Sequence, residues 1–224
     1  QGLTNLVADT DLEKLANDLK QAESKYHKLA QAISERRLEV ANELSNKVTG
    51  LLHQLAIHGE FMVVVEPTEQ ISSYGIDNIQ YLVCFNQGMQ LQPLHKVASG
   101  GELSRVALGI YVTLSVSNPP EVIVFDEIDV GIGGGVAETV GRLLKELGSS
   151  KQVICITHQP QTACCGDNHL LVAKQNSAGK TKSTITYTTN EIRINEIARM
   201  LGGVKITETT LQHAKEMLSI HHKI

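Results

Sequence analysis

Val122-Ile123-Val124-Phe125-Asp126-Glu127 is a run of four apolar residues that ends in two carboxylates. A run without polar alternation is the pattern of a β-strand covered on both faces, as in the parallel sheets of α/β proteins. A helical pattern follows at about 135–147, and then a second apolar run, Val153-Ile154-Cys155-Ile156. Strand, helix and strand at this spacing form a βαβ crossover, which requires a parallel sheet. The chain is therefore expected to be an α/β protein. In such folds ligands gather at the carboxyl ends of the strands, so the residues leaving these two strands are the first candidates for chemistry.

Asp126 and Glu127 leave the first strand. An apolar strand that delivers adjacent carboxylates is the Walker B arrangement: the first Asp helps hold Mg²⁺, and the second carboxylate can take a proton from an attacking water. The same pattern also describes a solvated strand end. Asp129 and the glycine-rich Gly131-Ile132-Gly133-Gly134-Gly135 follow at once, putting a flexible loop beside the carboxylates. Thr157-His158 leaves the second strand, so an imidazole that could hydrogen-bond a phosphate oxygen lies on the same edge. Upstream, Ser99-Gly100-Gly101-Glu102 opens a helix expected over 103–116, with Leu103, Val106, Ala107, Ile110 and Leu114 on its apolar face. Ser99 and Glu102 make a capping box. The two glycines weaken a first turn, but they bare backbone N–H groups at the positive end of the helix dipole, which suits phosphate. Cap and phosphate site both remain open. Gly179-Lys180-Thr181 looks like the tail of a P-loop, but Lys174 stands where its first glycine belongs and the segment bridges two strands. No other Walker A candidate exists in the sequence.

The chain changes character near residue 58. Before it, Leu12, Leu15, Leu19, Ala22, Tyr26, Leu29 and Ile33 alternate three and four apart, the seam of a coiled coil. Arg36-Arg37 interrupt the seam, which resumes in shifted phase at Val40, Leu44, Val48, Leu51 and Leu55. Thr10 and Glu13 read as a capping box, giving a helix over about 11–57 of roughly 70 Å. The expected division is thus a coiled-coil helix over 1–57 and a head over 58–224. In the head, 61–65 and 81–85 read as strands with Gly75-Ile76-Asp77-Asn78 turning between them. Leu170–Ala173 and Thr184–Tyr187 read as a hairpin, and helices are expected at about 189–201 and 208–220, with Gly202-Gly203 as the cap between them.

Composition sets the outer bounds. With 42% hydrophobic and 20% charged residues, the 224-residue chain can bury a core, which excludes wholesale disorder. A net charge of −4 argues against a surface coated in basic charge, though not against a local patch. No apolar run approaches the roughly 20 residues of a membrane span, and no signal peptide opens the sequence. Cys84, Cys155, Cys164 and Cys165 are expected to be reduced, mostly buried thiols of a cytoplasmic protein; the adjacent pair lacks metal-ligand spacing, and His221-His222 reads as a solvated tail. A start at Gln1, inside a helix-forming region, reads as a fragment.

The order Ser-Gly-Gly-Glu, Asp-Glu, Asp/Gly loop and His resembles the C-terminal lobe of an ABC-type ATPase head, and the coiled coil leading into it resembles the structural-maintenance-of-chromosomes (SMC) group. Three stretches are similar to the RecN family of bacterial DNA repair proteins within that group: Lys96-Val97-Ala98-Ser99-Gly100-Gly101-Glu102-Leu103-Ser104-Arg105, Phe125 to Gly134, and Ile156-Thr157-His158-Gln159-Pro160-Gln161. Ala198-Arg199-Met200-Leu201-Gly202-Gly203 fits the same family. The resemblance implies that Ser99, Gly100, Gly101 and Glu102 form the signature motif, which touches the γ-phosphate of ATP held by a second head. It implies that Asp126 holds Mg²⁺, Glu127 is the general base, Asp129 belongs to a loop crossing the dimer interface, and His158 is a switch on the γ-phosphate. It further implies an ATP-sandwiched homodimer, DNA as a partner, a nucleoid-associated bacterial location, and a role in double-strand-break repair and recombination. The Walker A motif and the first half of the coiled coil would come from an N-terminal portion, so the chain alone is expected to be a poor ATPase. Two other readings remain: a non-catalytic dimerisation module of an SMC-like complex, and a transporter's nucleotide-binding subunit, which the coiled coil disfavours.

Overall fold

The computed structural model describes residues 2–97, 99–114, 120–177, 180–203 and 205–221. A single helix, α1 (Gly2–Gln54), precedes the rest of the fold. It is about 80 Å long at 1.5 Å per residue. The helix passes straight through Thr10, so the expected capping box does not start it; nothing in 2–9 breaks a helix as Pro would.

The two halves of α1 meet different surroundings. Leu12, Leu15, Leu19, Leu29 and Ile33 are all exposed, whereas Ala41, Leu44, Val48, Leu52 and Leu55 are buried. Leu44, Val48, Leu52 and Leu55 are part of the main core, together with Ile57, Phe61, Val83, Val106, Leu108, Ile123 and Phe125. Contact with the rest of the fold begins earlier on another face of α1, where Ala30 is buried and Tyr26 and Ser34 bond to Ser72 and Asp77, and the core-facing stripe starts at Ala41 rather than at exposed Val40.

An antiparallel hairpin, β1 (Phe61–Ser72) and β2 (Gly75–Val83), lies along α1, with a short β3 (Gln92–Pro93) beyond β2. Thr49 Oγ1 and Ser45 Oγ accept from the N–H groups of Phe61 and Val63, at 3.0 and 2.9 Å, so α1 side chains satisfy β1 backbone. Both strands outrun their expected lengths, and the turn sits at Ser73-Tyr74; Gly75 to Asn78 are already strand. The helix–hairpin contact supplies the reason: Arg37 forms an ion pair with Asp77 at 2.7 Å, Ser34 Oγ donates to the same carboxylate at 2.6 Å, and Tyr26 donates to the Ser72 carbonyl.

Next come α2 (Gly100–Thr113), β4 (Val122–Asp126), α3 (Gly134–Gly148) and β5 (Gln152–Ile156). β4 and β5 pair in parallel, Val122 opposite Gln152 and Asp126 opposite Ile156, as the crossover pattern requires. The expected cover on both faces is not found among the described residues. Ile123 and Phe125 are buried, but Val122, Val124, Ile154 and Ile156 face outward and are exposed.

A short helix unforeseen in the sequence, α4 (Pro160–Cys165), follows β5 with Pro160 in its first turn, where a missing N–H costs nothing. The hairpin β6 (Leu170–Ser177) and β7 (Lys180–Tyr187) comes next, then α5 (Asn190–Gly202) and α6 (Glu208–His221). Gly203 closes α5, its N–H donating to the Arg199 carbonyl at 2.8 Å. Cys164, Cys165, Ile197, Ala198, Ala214 and Leu218 form a second, smaller core between α4, α5 and α6. All four cysteines are thiols, and three of them are buried. His221, by contrast with the expected solvated tail, is drawn in beside Cys164 and Cys165, with donor atoms of the three within 4.8 Å of one another. Among the described residues no helix is long and apolar enough to cross a membrane.

Candidate functional site

The carboxyl ends of β4 and β5 and the N-terminus of α2 meet at one edge. Asp126 ends β4 opposite Ile156, so Glu127 and Thr157-His158 leave adjacent strands side by side. Asp126 and Glu127 are exposed. Glu127 has a φ of 57°, a left-handed conformation rare for a residue with a side chain. Strain of this kind costs on the order of 1 kcal/mol and persists only where neighbours impose it.

Those neighbours come from α2. Ser99 caps the helix, its Oγ accepting from the Glu102 N–H at 3.4 Å, which is one of the two bonds of the expected capping box; the return bond from the Glu102 side chain is not made among the described residues. The glycines do something further. A Cβ on Gly101 would lie 2.9 Å from the Glu127 carbonyl oxygen and 3.4 Å from that of Val130; one on Gly100 would lie 3.2 Å from Glu127 Oε2. The bare first turn thus lets the 127–130 loop pack directly against the helix. It also sets the Glu127 carboxylate at the positive end of the α2 dipole, where negative charge is favoured.

Arg105, one turn along α2, had no role in the sequence reading. It is buried, and its Nη1 donates to the carbonyls of Ile128 and Val130, each at 3.1 Å. Burial lowers its pKa, opposed by the charges of Glu102 and Asp129. A guanidinium nonetheless stays protonated at neutral pH. The available signal was an arginine adjoining Val106 on a helix whose other inner residues are apolar. Ser104 Oγ adds a bond to the Asp126 carbonyl at 3.0 Å, tying the helix to the strand end as well.

Asp129 is completely buried inside this chain. Thr157 Oγ1 donates to its Oδ2. Its other oxygen, Oδ1, has no hydrogen-bond partner and stands 3.7 Å from His158 Nδ1. The His158 ring is 67% exposed, so it has one nitrogen toward a buried carboxylate while the rest of the ring faces solvent. At that distance the two do not hydrogen-bond, and the buried carboxylate sets a negative charge behind the imidazole. The β5 end is held by two more bonds: Gln159 N–H donates to Thr157 Oγ1 at 2.9 Å, and Gln159 Nε2 to the Ile132 carbonyl at 3.0 Å. Between the two strand ends, burial, and behind it the charges of Asp129 and Asp126, push the Cys155 thiol up to about 12, which leaves it inert.

The structure thus brings Gly100, Gly101, Asp126, Glu127, Asp129 and His158 to one edge. Ser99 and Glu102 sit at the same helix start, while Ala98 lies outside the described residues. The P-loop lookalike at Lys180 is the start of β7, as expected of a hairpin; Gly179 lies outside the described residues.

No family model matches the chain. It is 42% identical over 213 residues to the DNA repair protein RecN of Vibrio cholerae, which covers 94% of this chain and 38% of that protein. The RecN proteins of Haemophilus influenzae and Treponema pallidum are 40% and 36% identical, over 94% and 97% of the chain. The chain therefore spans about two-fifths of the length of the curated relatives it matches, 38% of the first two. Among solved structures, the Smc head domain with a coiled coil and joint from Pyrococcus yayanosii superposes with a TM-score of 0.59 at 17% identity, over 86% of this chain and 35% of that one. An Smc head domain with an extended coiled coil from Pyrococcus furiosus gives 0.54 at 18% identity, over 81% and 44%. At such identities these two establish the fold alone. In sequence the chain is RecN-like over nearly its whole length, and in fold it is a lobe of an SMC-type head preceded by a long helix.

Proposed function

We propose that this chain is the C-terminal part of the ATP-binding and hydrolysing head of an SMC-like protein acting in DNA double-strand-break repair and recombination. One observation carries the reading: the helix start at Ser99–Glu102, the carboxylates Asp126 and Glu127, and the Asp129–His158 pair converge on one edge of a parallel sheet. Similarity to RecN supplies the biological setting.

Each residue then has a task. Asp126 offers one carboxylate to a magnesium ion. That donor set fits, because Mg²⁺ takes one or two carboxylates and fills its other positions with water and substrate phosphates. When bound, the ion neutralises charge on the phosphates. Glu127 accepts a proton from the attacking water, and its strained backbone fixes where the carboxylate can point. His158, with the Asp129 carboxylate behind it, donates toward the γ-phosphate. Thr157 keeps Asp129 in place and so acts as a positioning residue. Ser99 and Glu102 close the cap of α2 between them, and the Gly100 and Gly101 N–H groups at that helix start meet nucleotide on a second head. The exposure of Val130, next to Asp129 on the same loop, supports contact of that loop with the second head.

The phosphate cradle lies outside this sequence, and the open faces of the fold fit its being supplied by an N-terminal lobe. Val122, Val124, Ile154 and Ile156 on one sheet, and Leu170, Val172, Ile185 and Tyr187 on the second hairpin, are apolar faces that want cover. The exposed seam from Leu12 to Ile33 likewise wants an antiparallel helix. The sequence offers no second heptad run, and among the described residues nothing covers those faces.

Glu127→Gln in the assembled protein tests the reading. It keeps the shape and removes the base, so turnover should fall at least 100-fold, in line with the about 10²–10⁴ that general bases contribute. ATP-dependent dimers should meanwhile persist longer. Loss of ATP binding together with turnover would assign Glu127 to architecture instead.

A further inference from the structure

Cys164 and Cys165 end α4, and His221 ends α6. Their two Sγ atoms and a ring nitrogen all lie within 4.8 Å of one another. The place is built. Both cysteines are 1% exposed, and the His221 side chain is 16% exposed. Adjacent helical side chains normally diverge, yet these two thiols converge on one acceptor: their Sγ atoms are 3.1 and 3.3 Å from the Gln161 carbonyl oxygen. Gly141 on α3 makes the room, since a Cβ there would lie 2.7 Å from Cys165 Sγ. From α3 as well, Lys145 Nζ donates to the His221 carbonyl at 2.8 Å and holds the end of α6 over the thiols. Glu138 Oε1 stands 4.0 Å from His221 Nε2.

We propose that Cys164, Cys165 and His221 form a binding site for a thiophilic divalent cation, Zn²⁺ by preference. Two thiolates and an imidazole are the donor set that selects zinc over Mg²⁺ or Ca²⁺. A tetrahedral ion with Zn–S of about 2.3 Å places its two sulfurs about 3.7 Å apart, so the cluster closes on it with small side-chain adjustments. The fourth position is left to water. Glu138 is the partner that orients the imidazole, as carboxylates behind metal-bound histidines do. Binding sends the thiol protons of Cys164 and Cys165 to solvent and leaves the ring neutral. The ion clamps α4 to α6 across α3. Because α4 begins two residues after His158, the clamp fixes the segment behind the Thr157-His158 loop. The site stands whether or not the chain hydrolyses ATP.

The reduced, metal-free chain is titrated with Co²⁺ without oxygen, and Zn²⁺ is then added. The expected result is one Co²⁺ per chain with the strong bands of tetrahedral cobalt and sulfur-to-cobalt charge transfer, both erased by Zn²⁺. Cys165→Ser should weaken the charge transfer. His221→Ala, near the chain's end and outside the core, should keep it while lowering affinity about tenfold or more. Glu138→Gln should lower affinity by about tenfold. A wild-type chain without charge transfer overturns the site, and so does a His221→Ala chain that binds as tightly as wild type. If Cys165→Ser fails to fold, as circular dichroism would reveal, the His221→Ala comparison decides alone.

Discussion

Glu127 leaves β4 in a left-handed conformation because the N-terminus of α2 is built to receive it. The two glycines there do not contribute equally. At Gly101 an added Cβ meets backbone, the Glu127 carbonyl at 2.9 Å; at Gly100 it meets only the movable end of the Glu127 side chain, at 3.2 Å. Gly101→Ala should therefore cost about 1–3 kcal/mol through forced displacement of the 127–130 loop. Gly100→Ala should stay within about 0.5 kcal/mol of wild type, or gain slightly from helix propensity. Urea unfolding of the two variants separates them, and equal losses would show that the loop does not rest on Gly101. The sequence made the motif visible but explained the glycines by phosphate alone, since nothing in a linear pattern tells which loop will press on a helix start. The role of Arg105 and the burial of Asp129, itself a candidate from the sequence, were opaque for a similar reason. A buried carboxylate and a buried guanidinium look like any surface pair until the fold encloses them.

The long helix and the first hairpin form one unit, and the ion pair between Arg37 and Asp77 pins its far end. Asp77 is almost wholly enclosed, its side chain 1% exposed. The hydrogen bond from Ser34 first, and then Arg37, hold its pKa below the usual carboxylate value. The unfolded chain thus binds a proton at Asp77 more readily than the native one. The resulting stabilisation is complete above the ordinary Asp pKa of about 3.9 and is lost as the pH falls below it, through the depressed native value. Asp77→Asn should remove that part of the acid sensitivity and lower stability at pH 7 by about 1.5–3 kcal/mol, the range for hydrogen bonds to charged groups. Parallel pH scans of both proteins read this directly; curves of identical shape would contradict it. The heptad spacing made the helix legible. What the spacing could not show is that Arg37 turns toward a hairpin, because β1 and β2 outrun the five-residue apolar runs that announce them. The short helix α4 was unreadable for want of length: six residues hold too little of a helical period.

Taken whole, the molecule has a finished core and unfinished faces. Buried residues of α1, β1, β2, α2, β4 and α3 close one side, while the outward residues of β4, β5, β6 and β7 leave broad apolar surface in water. The β4 run was read as covered on both faces, and its composition does require that. Among the described residues the second cover is not made. The α/β class, the parallel crossover and the edge that gathers the polar residues were all legible from strand periodicity and motif order. The Cys164–Cys165–His221 cluster was not, because it joins residues more than fifty positions apart through packing alone. The central claim, half of an ATPase site awaiting its phosphate cradle, is tested most directly by ATP turnover. This chain, the separately made Walker-A-bearing N-terminal portion and their mixture are assayed side by side, with and without linear DNA. Turnover confined to the mixture, and rising with DNA, is the predicted result. A folded, associated mixture that leaves ATP intact would contradict it and make this lobe an assembly module.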